Sequence, residues 1–138
     1  MAGCEVVFHT ASPFTTKITD AKRDLVDLAL TGTRNVLNQA TQTPSVRRVV
    51  VTSSCAAIYG DNQDVAKAPG KTLTEAQWNT TSTLTHQPYS YSKTVAERAA
   101  WEIADAQDQW RLVTVNPSLV QGPGVAAAHT SESFSILR

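Results

Sequence analysis

The chain has 138 residues, twelve basic and twelve acidic, so its formal net charge is zero, and 41% of its residues are hydrophobic. That length allows one domain with a real core, and a neutral chain without a basic stripe argues against nucleic acid as its main partner. No apolar run nears the roughly eighteen residues of a membrane span, no secretory leader is evident, and two cysteines, Cys4 and Cys55, make no disulfide framework, so a cytoplasmic protein is expected.

Glu5-Val-Val-Phe-His9 is a short apolar run without helical spacing and reads as a buried strand. The run ends in Thr10-Ala-Ser-Pro13, and Ala11-Ser-Pro-Phe-Thr-Thr16 is loop, since Pro13 has no N–H for a ladder. From about Ala21 to Ala40, Leu25, Leu28, Ala29, Val36 and Leu37 recur at helical spacing. Gly32 inside that helix costs about 1 kcal/mol relative to alanine, and a close helix-on-sheet contact is the expected reason. Thr43-Pro-Ser45 ends the helix, and residues 47–52 give the next strand, running into Thr52-Ser-Ser54.

Residues 55–88 are the least regular part: Asp61, Asn62, Pro69 and Gly70 mark loop, and Thr74-Glu-Ala-Gln-Trp78 reads as a candidate short helix. Pro88 suits the first turn of a helix, where its missing N–H costs nothing. That helix is predicted from about Tyr89 to Gln107, with Val95, Ala96, Ala99, Ala100, Ile103 and Ala104 as its core stripe. Residues 111–116 form a third strand; Pro117, Pro123 and Gly124 keep the next segment open, and a further helix is expected to begin near Ser131. Strand, helix, strand, helix, strand predicts an α/β fold: parallel strands covered on both faces, a doubly wound half-sheet.

Tyr89 and Lys93, four apart, share one face of the last long helix. A nearby ammonium favours the phenolate and is expected to pull a tyrosine pKa of about 10 toward working pH. Tyr91 stands only two from Lys93 and points elsewhere. Ser54 ends the middle strand, with Ser53 and Thr52 as neighbouring candidates, and such a hydroxyl holds an oxygen against the phenol. This is equipment for moving a proton to or from oxygen while a hydride moves. The Tyr-x-x-x-Lys spacing alone is a weak signal that any surface helix can carry. Three strands that each end in small polar residues strengthen it, because their loops gather at the carboxyl edge of a parallel sheet.

Five pieces in order resemble one family: Val7-Phe-His-Thr-Ala-Ser-Pro13, Gly32-Thr-Arg-Asn-Val-Leu37, Arg47-Arg-Val-Val-Val-Thr-Ser-Ser54, Tyr89-Ser-Tyr-Ser-Lys-Thr-Val-Ala-Glu97 and Asn116-Pro-Ser-Leu-Val-Gln-Gly-Pro123. The chain is similar to the extended short-chain dehydrogenase/reductases, nearest the dihydroflavonol 4-reductase and cinnamoyl-CoA reductase group. The resemblance implies a partial Rossmann-like domain over residues 1–138 and reduction of a small-molecule carbonyl by NADPH or NADH, with NADPH favoured. It implies Tyr89 as general acid, Lys93 as the group that lowers the tyrosine pKa and bonds the nicotinamide ribose, and Ser54 as the hydroxyl that orients the carbonyl. Thr10, Ala11, Ser12 and Thr52 then lie beside the cofactor, and Pro117, Leu119 and Val120 pass the nicotinamide carboxamide.

Nothing in the sequence matches G-x-x-G-x-x-G, the turn that holds a dinucleotide pyrophosphate. The resemblance therefore implies the middle of a longer reductase, without its glycine-rich motif and carboxyl-terminal substrate lobe, inactive and marginally stable alone. A sugar-nucleotide epimerase or dehydratase uses the same triad, and a truncated, non-catalytic homologue is a further reading. Relatives pair through the two long helices, so a homodimer is implied. No metal is expected: His9 reads as structural, His86 and His129 stand without partners, and Cys55 has no metal-ligand spacing. Trp78, Trp101 and Trp110 read as packing.

Overall fold

The computed structural model describes residues 1–15, 17–120 and 122. The readings at Pro123, Gly124, His129 and Ser131 lie outside the described residues. Three parallel strands, β1 (Val6–His9), β2 (Arg48–Thr52) and β3 (Arg111–Val115), form one sheet in the order β1-β2-β3. Val7 stands opposite Val49, and Val49 opposite Leu112. Helix α1 (Leu28–Thr41) continues from a wide π-type stretch, Lys22–Asp27, and joins β1 to β2. The short α2 (Gln63–Lys67) and the long α3 (Pro88–Asp105) lie between β2 and β3. Rossmann-like α/β topology is thus the observed fold.

Local chemistry sets the helix starts. Ahead of α1 the Asp24 carboxylate accepts from the N–H groups of Thr19 and Asp20, both at 2.9 Å, satisfying donors that a helix N-terminus leaves free. Gln87 takes a left-handed conformation, φ 52°, and Pro88 opens α3. Inside α3 the buried Ser92 and Thr94 return their hydroxyls to the carbonyls of Tyr89 (2.7 Å) and Ser90 (2.8 Å), so neither leaves a donor unpaired. Thr74–Trp78 is a turn instead of the expected helix. The Gln77 side chain accepts from both the N–H and the hydroxyl of Thr74, a local bond that competes with helical pairing.

Both crossovers advance in the same direction across the sheet, and right-handed connections then put α1 and α3 on the same face. The core lies there: Leu37 and Ala40 of α1, Ala100 of α3, and Val49, Val51, Trp110 and Leu112 from the sheet side. Side chains alternate along a strand, so Val6, Phe8, Val113 and Val115 point the other way, and Phe8 is 70% exposed. The cover expected on both faces is present on one among the described residues. Trp110 closes the end of the core remote from the strand tips by donating its indole N–H to Thr41 Oγ1 at 3.1 Å. Gly32 departs from expectation: a Cβ built there meets nothing within 4 Å, so no close helix-on-sheet contact requires it.

Candidate active site

The carboxyl tips of β2 and β3 are laced together. Ser53 N–H donates to Val115 O (2.8 Å), Cys55 N–H donates to Pro117 O (3.0 Å), and Asn116 Nδ2 donates to Ser54 O (3.1 Å). Ser54 is extended, and its hydroxyl accepts from Ala56 N–H at 3.1 Å, capping a short turn over Cys55–Ala57. Asn79 secures that turn from the irregular segment: its N–H donates to Ala57 O and its Nδ2 to Ala56 O, both at 2.8 Å. Trp78 lies under the Arg98 guanidinium at 4.7 Å, a cation–π contact that fixes the same segment to α3.

Tyr89 sits in the first turn of α3, its ring 5.0 Å from that of Phe14. Lys93 Nζ lies 5.9 Å from the centroid of the same ring. Ser54, Tyr89 and Lys93 line one cavity of about 520 Å³ with Thr10, Ser12, Thr52, Pro117, Leu119 and Val120. Ala11 lines instead a smaller neighbouring cavity of about 10 Å³, shared with His9, Ser53, Lys93 and Glu97. Both serines line the larger cavity: the Ser54 hydroxyl favours the ionised form of the phenol, and Ser53 Oγ is buried without a partner among the described residues.

The electrostatics differ from the sequence expectation. Burial pushes the Tyr89 phenol above its ordinary value, against the pull of Ser54 and with some help from Cys55. The Lys93 ammonium is placed against the ring, 5.9 Å from its centroid. Burial depresses Lys93 itself, and Glu97 only partly offsets that. His9, 7% exposed, is held below the ordinary histidine value by burial and then by Lys93, and its Nε2 lies 3.4 Å from Thr33 Oγ1. His86 does have a partner: its Nε2 lies 2.8 Å from Asp61 Oδ1, which also accepts from Gln87 Nε2 at 2.8 Å. Phe14, Glu97 and Asn116 were not singled out for this region by sequence reasoning. For Glu97 the signal was available, one further step of four beyond Lys93.

The sequence model of the NAD dependent epimerase/dehydratase family matches residues 1–137. The chain belongs to this family. Within it, the chain is 38% identical to a cinnamoyl-CoA reductase from Medicago truncatula over 138 residues, 98% of this chain and 41% of that one. It is 36% identical to an anthocyanidin reductase from Arabidopsis thaliana over 126 residues, 88% of this chain and 36% of the relative. Among solved structures, the yeast methylglyoxal/isovaleraldehyde reductase complexed with NADPH superposes with a TM-score of 0.76 at 35% identity, covering 88% of this chain and 38% of that one. The motif resemblance to the cinnamoyl-CoA reductase group is therefore borne out, and the chain spans about two fifths of the length of these relatives. Among the described residues no helix is long and apolar enough to cross a membrane.

Proposed function

We propose that this chain carries the nicotinamide-facing, proton-donating side of an NAD(P)H-dependent reductase of a small carbonyl compound. The observation that carries the reading is the convergence of Ser54, Tyr89 and Lys93 on one cavity at the carboxyl edge of a parallel sheet, where ligands of such folds bind. A nicotinamide and its ribose fit that cavity: its walls are mostly small or polar, and the buried Ser53 hydroxyl in its lining lacks a partner among the described residues. NAD(P)H, when bound, supplies the hydride. Thr10, Ser12, Thr52, Pro117, Leu119 and Val120 would hold its nicotinamide half, with Ala11 behind them. No residue is assigned to the pyrophosphate or adenosine, because the sequence contains no glycine-rich turn to hold them.

Tyr89, kept protonated by burial, donates its proton to the carbonyl oxygen as the carbonyl carbon is reduced. Ser54 would hold that oxygen against the phenol, and the Lys93 ammonium, on the wall of the same cavity, would hydrogen-bond the nicotinamide ribose and support return of a proton to Tyr89. A phenol raised by burial stays protonated at neutral pH, as the proton donor of a reduction must be. Reductases among the similar proteins, including one complexed with NADPH, favour this reading over an epimerase or dehydratase, and NADPH over NADH. Residues 1–138 would belong to a single nucleotide-binding domain, working in a reducing compartment such as the cytoplasm and paired through the outer faces of α1 and α3. With the adenosine side unassigned and one sheet face uncovered among the described residues, the 138-residue chain alone is expected to bind cofactor weakly and not to turn over.

The test is a titration of the isotope-labelled chain with NADPH, followed by NMR. Resonances of Thr10, Ser54, Tyr89 and Lys93 are expected to move together, and Lys93→Ala is expected to weaken the response at least tenfold. A folded chain whose site resonances stay fixed at millimolar NADPH would overturn the reading.

A further inference from the structure

We infer that Glu97 is a positioning residue that ties the Ser54 strand tip to α3 through Asn116 and stands beside Lys93 on the wall of the smaller cavity, an inference that rests on the reductase reading of Ser54 and Lys93. Glu97 lies on α3 one turn beyond Lys93 and is only 7% exposed. A carboxylate buried that deeply is costly unless it is paired and hydrogen-bonded. Its pairing crosses the fold. Asn116, just past β3, donates Nδ2 to Glu97 Oε2 at 2.8 Å, and the same amide donates to Ser54 O at 3.1 Å.

An asparagine amide has two protons, so both bonds are available at once. Together they join the helix that carries Lys93, the strand tip that carries Ser54 and the segment that leads into Pro117. A long contact from Trp101 Nε1, at 3.4 Å, reaches the other carboxylate oxygen.

Charge points to the same role. The titratable groups that bear on Lys93 are Glu97 and Tyr89 on its own helix and His9 from β1, with Cys55 next to Tyr89. Glu97 alone opposes the burial that works against the ammonium. Lys93 and Glu97 also share the wall of the smaller cavity with the Ser53 hydroxyl, which has no partner among the described residues. Removing the charge at Glu97 while keeping its shape therefore separates an electrostatic hold on Lys93 from simple space filling.

The experiment compares the full chain with Glu97→Gln, in which an amide oxygen still accepts from Asn116 but the charge is gone. Side-chain carbon shifts of labelled lysine give the Lys93 titration midpoint without cofactor. The midpoint is expected to fall in Glu97→Gln, and an unchanged midpoint would overturn the inference. A second measurement needs no variant: the Asn116 side-chain amide protons of the parent chain are expected to exchange slowly with solvent, and exchange as fast as that of an exposed asparagine would overturn the clamp. NADPH titration of the same samples is read separately. Failure of the parent chain to bind counts against the reductase reading, whereas a fixed Lys93 midpoint counts against Glu97.

Discussion

Gly60→Ala tests how the irregular segment after Ser54 is held. A Cβ at Gly60 would meet Thr81 Oγ1, Ser82 Oγ at 2.5 Å and Asn79 Oδ1 at 2.8 Å. None of these atoms is a free end. Thr81 Oγ1 donates to Asp64 Oδ2 at 2.8 Å, and Asn79 Oδ1 accepts from the N–H groups of Thr81 (3.1 Å) and Ser82 (3.0 Å). Asn79 also bonds Ser82 Oγ and reaches back to Ala56, two residues past Ser54. Overpacking of this kind costs about 1–3 kcal/mol. Because the methyl collides with bonded groups, each bond worth about 1 kcal/mol, the upper half of that range is expected. At about 4 °C per kcal/mol for a domain of this size, Gly60→Ala should lower the thermal midpoint by roughly 8–12 °C, read by circular dichroism. Resonances of Ser54 and Ala56 should shift with it. A variant within about 0.5 kcal/mol of the parent would refute the account of this segment.

Gly32→Ala should do the opposite: with open space around the added methyl, it is expected to stabilise α1 by about 1 kcal/mol, and a loss in urea unfolding would contradict the open space. Lys93 gives a pH dependence with a definite sign. Its folded pKa lies below the ordinary 10.5, so between the two values the unfolded chain holds a proton that the native chain has lost, and stability rises with pH. The raised Tyr89 phenol acts in the opposite sense only as the pH passes the ordinary tyrosine value of 10.0. Urea midpoints measured from neutrality to just below that value should therefore rise for the parent and stay flatter for Lys93→Met; equal slopes would refute the burial of the ammonium.

The three strands and both long helices were legible because apolar runs and helical spacing report burial directly. Their relation was less so. An apolar run such as Val6–Phe8 reads as buried on both sides, but strand order decides where the helices go, and the two crossovers leave Phe8 bare. Gly32 reads as a packing glycine only if something approaches it, and nothing does. At the site, the spacing of Tyr89 and Lys93 brought them together as expected, while the direction of the tyrosine shift was misread. Spacing gives proximity but not whether the cation meets the hydroxyl or the ring face, nor how much water remains. Ser53 and Ser54 are indistinguishable in sequence, and both reach the cavity at the strand tip. The Glu97–Asn116 bond spans nineteen residues and two elements, beyond any local pattern.

The most direct test of the central claim is saturation-transfer NMR of NADPH with the folded 138-residue chain. The described cavity seats the nicotinamide side and no residue is assigned to the adenosine. Transfer is therefore expected mainly to the nicotinamide and its ribose, and it should fall when Tyr89 or Lys93 is replaced. Transfer confined to the adenine ring, or transfer indifferent to those replacements, would contradict a nicotinamide-facing site at Ser54, Tyr89 and Lys93.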